Sequence, residues 1–144
     1  MSEIKSLQIK IPYVTEKKHL YDYLAPDTSE ITRLTNNEHA NRGDMAHCSL
    51  PGGKVSIATK HKSVEELWYF IEGHGEIWLS NNDIESVHTV KKGTAIYIPP
   101  GISFQFRNLN HEQPLEIIIT TMPPWPGSDE AIQVEGKWQP TPQK

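Results

Sequence analysis

From Ser29 onward the chain is written in short runs where β-branched and aromatic residues alternate with polar ones: SEITRLT, DMAHCSL, KVSIATKH, EELWYFIE, GEIWLS, SVHTV, TAIYIP, SFQFRN and LEIIITTM. Each run is closed by Gly, Pro or Asn, as in Pro51-Gly52-Gly53, Gly73-His74-Gly75, Asn81-Asn82-Asp83, Lys92-Gly93, Pro99-Pro100-Gly101 and Asn108-Leu109-Asn110. Two-residue periodicity between turn signals predicts an all-β sandwich or barrel over residues 29–122, and no helical stripe competes with it. Residues 1–28 read as an N-terminal arm. Within it Leu7, Ile9 and Ile11 alternate as a strand does, and VTEKKHLYDYL reads as helix-like, opening at a capping Thr15 and stopping before Pro26. Residues 123–144 carry five prolines, which forbid a central strand. This Pro-rich tail also holds Trp125 and Trp138, too large to leave in water, so it is expected to pack along the barrel.

Composition changes this picture little. The 144 residues hold 14 Lys plus Arg against 18 Asp plus Glu, a formal net charge of −4. A mildly acidic chain gains no counterion release on nucleic acid and no attraction to anionic membrane, so neither is an expected partner. No apolar run approaches the roughly 18–20 residues that span a bilayer, and the first residues lack a charged-then-apolar leader layout, so a cytoplasmic location is expected. The single cysteine, Cys48, excludes an internal disulfide and a Cys-only zinc site. A phosphate-binding glycine loop, a nucleophile elbow, HExxH and a strand-linked GxGxxG are all missing. Arg42-Gly43-Asp44 is too short a match to carry an adhesion role. His19, His39, His74, His88 and His111 share no spacing that suggests a site and are expected at the surface.

Two blocks have spacing beyond a generic β pattern. Gly53 is followed after five residues by Thr59, then His61 two further on, Glu66 after four intervening residues and Gly73 after six. Gly93 is followed after five residues by Pro99, then Pro100-Gly101, Phe104 after two and Asn108 after three. These frames resemble the paired motifs of the cupin superfamily, Gly-x5-His-x-His-x3-4-Glu-x6-Gly and Gly-x5-Pro-x-Gly-x2-His-x3-Asn, over about residues 45–121. The closing block ITTMPPWPGSDEAIQVEGKW resembles the tails of small bacterial stand-alone cupins that also carry Phe at the second-motif histidine.

The resemblance implies a double-stranded β-helix, the cupin or jelly-roll barrel, with an N-terminal arm and a Pro-rich tail. Cupins hold iron, manganese, nickel or zinc with three imidazoles and a carboxylate. Carried over position by position, the first His is Thr59, the second remains His61, the carboxylate remains Glu66 and the third His is Phe104. Two donors of four survive, so no cofactor is expected, and a divalent metal would have only His61 and Glu66. Alternation with Leu50 points Cys48 inward and His47 outward, so neither completes the set.

With Glu66 pointing in, Trp68 and Phe70 follow on the same face; with Phe104 inward, so do Phe106 and Asn108. Glu65, Lys60, Lys62, Gln105 and Arg107 then face solvent. The lumen reads as an aromatic ligand pocket lined by Thr59, Trp68, Phe104, Phe106, Cys48 and Asn108, with His61 and Glu66 as an acid and base pair working near neutral pH. The expected function is binding of a small organic ligand, with metal-independent isomerase, epimerase or cyclase chemistry. The alternatives are a metal-dependent dioxygenase or sugar isomerase using His61 and Glu66 as ligands, and a non-catalytic interaction or regulatory module. The Leu7, Ile9, Ile11 strand offers a sheet edge for a homodimer.

Overall fold

The computed structural model describes residues 11–142. Eleven strands follow one another: β1 (Tyr23–Leu24), β2 (Glu30–Arg33), β3 (Asp44–Leu50), β4 (Thr59–His61), β5 (Glu65–Glu72), β6 (His74–Ser80), β7 (Glu85–Lys91), β8 (Ala95–Ile98), β9 (Ser103–Asn108), β10 (Leu115–Met122) and β11 (Ala131–Gln133). They form two antiparallel sheets, one ordered β1-β2-β3-β10-β5-β8 and the other β11-β4-β9-β6-β7. All nine runs recognised from alternation contain a strand, so the double-stranded β-helix expectation stands. Only the last three residues of KVSIATKH pair continuously, and Val55 adds an isolated bridge to Arg107.

The core lies between the sheets and is made by alternation. On β5 Glu66, Trp68 and Phe70 are buried while Leu67 and Tyr69 are about half exposed; on β10 Leu115, Ile117, Ile119 and Thr121 are buried. Trp68 meets Phe104 and Phe106 edge to face, at centroid separations of 5.4 and 5.2 Å. Gly75 sits where β6 crosses β9 so closely that any Cβ would run into the Arg107 carbonyl.

The helix-like reading of VTEKKHLYDYL is corrected. No helix forms there. Residues 11–22 are exposed, and an isolated helix of that length with no buried face is marginal in water. Among the described residues the chain has no regular structure before β1, where the Asp22 amide donates to the Ile31 carbonyl at 2.7 Å and its carboxylate accepts from the Arg33 amide at 2.8 Å. Leu7 and Ile9 lie outside the described residues; Ile11 is exposed. No helix among the described residues is long and apolar enough to cross a membrane.

The solvent-facing reading of Gln105 and Arg107 is also corrected, because the C-terminal segment covers that face. Gln105 is fully buried and clamps the segment: Nε2 donates to the Ser56 and Trp138 carbonyls, and Oε1 accepts from the Lys137 and Trp138 amides, at 2.8–2.9 Å. Arg107 lies over the Trp138 ring at 4.2 Å and donates to Glu76 at 2.6 Å. β11 pairs with β4, and Glu130 accepts from the Ser63 hydroxyl and the Val64 amide, so the tail covers the β4 edge of the smaller sheet. His47, on the outer face of β3, is buried and bonded to Glu116 at 2.8 Å. His39 is half-buried and stacks on Tyr13.

Candidate functional site

A cavity of about 60 Å³ opens at one end of the barrel, several times the space one water needs. β4 contributes Thr59 and His61, β5 Glu66 and Trp68, and β9 Phe104, all from the inward faces. Thr59 lies opposite Phe104 in the β4–β9 register, so the two positions where cupins place histidine ligands face each other as a hydroxyl and a phenyl ring. The larger sheet, to which β5 belongs, also supplies Ile31 and Arg33 on β2, Asp44 and Ala46 on β3, and Ile119 and Thr121 on β10, facing β4 and β9 of the smaller sheet. Asp27 and Ser29 in the β1–β2 turn and Trp125 from the tail complete the mouth.

Glu66 is the most constrained group. Its Oε1 accepts from the Trp68 indole N–H at 2.8 Å and its Oε2 from the Thr121 hydroxyl at 2.7 Å. These bonds favour the ionised form, but burial outweighs them and raises the carboxyl pKa to about 7. Burial acts in the opposite direction on His61 and holds its pKa below the usual imidazole value. The two are 3.9 Å apart, Nδ1 to Oε1, too far for a hydrogen bond. His61 Nδ1 is thus buried with no partner among the described residues, and its ring is gripped edge to face by Phe104 and Trp125 at 5.2 and 5.4 Å. Near neutrality the imidazole is neutral and the carboxyl exchanges between its acid and ionised forms, so the two are not a standing ion pair.

Asp27 is the third ionisable group of the cavity. Its Oδ1 accepts from the Ser29 amide at 2.9 Å and the Ser29 hydroxyl at 2.6 Å, and burial raises its pKa. At the rim Arg33 donates to Asp44 at 2.7 Å, which neutralises both charges, and the Trp125 amide also donates to Asp44.

The fold separates the sequence-predicted site residues into two groups. Thr59, His61, Glu66, Trp68 and Phe104 converge on the cavity. Phe106, Cys48 and Asn108 point inward but lie deeper, outside the lining, so their assignment to the pocket is corrected. Phe106 is fully enclosed in the core, and burial raises the Cys48 thiol pKa well above normal. Asn108 ties loops together: its amide donates to the Leu50 and Gln113 carbonyls and its oxygen accepts from the Asn110 amide. The physical reason is depth: alternation fixes the face a side chain takes, not how far along the barrel it sits.

Sequence reasoning missed Asp27, Arg33, Asp44, Thr121 and Trp125. Thr121 shares the inward face of β10 with Ile117 and Ile119, so the same alternation reaches it. Asp27 had no signal beyond an acidic residue in a turn. A metal fits this cavity poorly. Among the described residues no three His, Cys, Asp or Glu side chains are grouped to hold one, and both Glu66 oxygens already accept hydrogen bonds from neutral donors.

A family model for the cupin domain matches residues 46–121. An uncharacterized protein of Methanocaldococcus jannaschii is 32% identical over 123 residues, covering 82% of this chain and 92% of that one. Among solved structures, KdgF of a Halomonas species superposes with a TM-score of 0.61 at 14% identity over 75% of this chain and 89% of that one. An uncharacterized Klebsiella pneumoniae protein with a double-stranded β-helix domain gives 0.60 at 18% identity over 83% and 99%. The oxalate decarboxylase of Lactobacillus farciminis, in its formate complex, gives 0.66 at 18% identity over 80% of this chain but only 33% of that one. The chain therefore spans about a third of that enzyme's length, and at these identities the likeness is one of fold.

Proposed function

The chain belongs to the cupin family, and from that premise we propose that it binds a small organic molecule in the barrel mouth and moves a proton on it without a metal. The observation that carries this reading is His61 Nδ1: a buried ring nitrogen with no partner, 3.9 Å from a carboxyl oxygen, on the wall of a cavity. A buried polar atom left without a bond costs about 1–3 kcal/mol, and a ligand in the cavity restores what is missing.

The chemistry follows from the charges. Glu66, with a pKa of about 7, is the proton donor and neutral His61 the acceptor. A ligand carbonyl oxygen takes the Glu66 proton while His61 removes a proton from the adjacent carbon. The products are an enol, an imidazolium and a carboxylate, the last two a favourable ion pair. Return of the proton to another carbon, or to the other face of the same one, gives an isomer or an epimer. Trp68 and Thr121 hold the developing carboxylate in place. That KdgF and oxalate decarboxylase share the fold supports a small-molecule site, while the donor set at Thr59 and Phe104 weighs against metal-based chemistry here.

Incubation with small hydroxy ketones, 2-oxo acids and amino ketones in D2O tests the reading across substrate classes. Deuterium should enter next to the carbonyl of at least one class, and that exchange should disappear in His61→Gln and Glu66→Gln proteins that remain folded. No exchange above the protein-free rate in any class would overturn the reading.

A further inference from the structure

We propose that the ligand is a compact organic cation, an ammonium or amidinium group on a short apolar body. The proposal rests on the small-molecule reading of the same cavity and adds the charge of what fills it. The cavity carries more carboxyls than cations. Asp27, Asp44 and Glu66 line it against a single guanidinium, Arg33, which is already committed to Asp44 at 2.7 Å.

Asp27 is nine-tenths buried, and its Oδ2 has no donor among the described residues, while Oδ1 is held by Ser29. His61, as deeply buried, leaves Nδ1 without a partner. The donors nearest the carboxyls are committed, the Trp68 indole and the Thr121 hydroxyl to Glu66 and the Ser29 hydroxyl to Asp27, and the remaining donors of the lining, such as the Thr59 hydroxyl, are neutral. An anion entering here would meet carboxyls and no free cation. An ammonium brings the donor that Asp27 Oδ2 lacks and leaves His61 Nδ1 free to take a proton, and its charge compensates the buried carboxylates that the protein leaves unpaired. The walls suit the same guest. Trp68, Phe104 and Trp125 present aromatic rings to the cavity, and an aromatic enclosure with carboxylates at its base attracts a cation through both ring quadrupole and charge.

Isobutylammonium, isobutanol and isobutyrate share a skeleton and differ in charge, so calorimetric titration of the full chain with each at pH 8 isolates the charge preference. We expect isobutylammonium to saturate one site, about tenfold or more tighter than the alcohol, with no binding of the carboxylate. Asp27→Asn should weaken it about tenfold, whereas Glu72→Gln on the exposed end of β5, which removes the same formal charge, should not. If Asp27→Asn fails to fold, Glu66→Gln serves in its place. Equal or tighter binding of the alcohol or the carboxylate would overturn the cation and leave the cavity reading standing. Binding of none of the three would also overturn the cation, and the proton-transfer reading would then rest on deuterium exchange alone.

Discussion

The two ends of the barrel are built by the same strands with the same alternation, yet one is a packed core and the other a cavity with unpaired atoms. On β9, Phe104 faces the cavity while Phe106, two residues on, is fully enclosed; on β5, Glu66 lines the cavity and Phe70 is fully enclosed. At the closed end inward polar groups have partners, as the bonds of Asn108 to Leu50, Gln113 and Asn110 show. At the mouth His61 Nδ1 has none among the described residues. The inward face of a barrel strand is therefore core or site according to what the adjoining loops bring. Here the β1–β2 turn and the tail bring Asp27 and Trp125 instead of more apolar surface.

The largest effect should come from the packed end. Phe106→Ala is expected to cost about 3–5 kcal/mol in denaturant unfolding, and Phe104→Ala about 1–2 kcal/mol less, because its ring already borders empty space. Equal losses would erase the distinction between the two ends.

At the mouth the sign reverses. The Glu66 carboxyl has a folded pKa of about 7, above the ordinary 4.5, so the native state binds more protons than the unfolded state between those values. Stability from this group is present below pH 4.5 and is lost as pH rises to about 7, a difference of about 3 kcal/mol. His61 acts oppositely: its folded pKa is lowered, so its contribution is present above the unfolded value of 6.5 and is lost as pH falls through the folded one. Subtracting the Glu66→Gln curve from that of the natural protein isolates the first effect. The variant should match the parent near pH 4 and exceed it by about 2–3 kcal/mol at pH 8. A variant that is less stable at pH 8 would show that Glu66 is an ionised, well-compensated group.

Asn108→Ala should cost about 2 kcal/mol and leave ligand binding at the mouth unchanged, since its bonds hold loops at the closed end. The smallest effect concerns metal. Added zinc, manganese, nickel or iron(II) should leave the melting temperature where it is, and so should a chelator, because two donors give little affinity. A clear rise with one of these ions would show that other residues complete a centre at the mouth.

The barrel was legible because strand alternation and turn residues are local signals, and the two glycine frames aimed Thr59, His61, Glu66 and Phe104 at one place. The arm was misread because VTEKKHLYDYL has helical spacing, while only tertiary packing decides whether such a segment has a face to bury. Gln105 looked solvent-facing because β9 alternates, but the tail that covers it comes from beyond residue 122 and no local pattern reports that contact. The same holds for Asp27 and Trp125. The part of the cavity wall made by Ala25, Pro26, Asp27, Ser29 and Trp125 comes from the β1–β2 turn and the tail, which sequence periodicity does not see.

Side-chain NMR titration of the free protein, following the Glu66 carboxyl carbon and the His61 ring from pH 4 to 9, examines the proton pair directly. Glu66 should titrate near 7 and His61 below 6.5, leaving an imidazole beside a carboxylic acid in the mouth. A Glu66 midpoint near 4 together with a His61 midpoint above 6.5 would mean a standing ion pair and would contradict proton transfer between them.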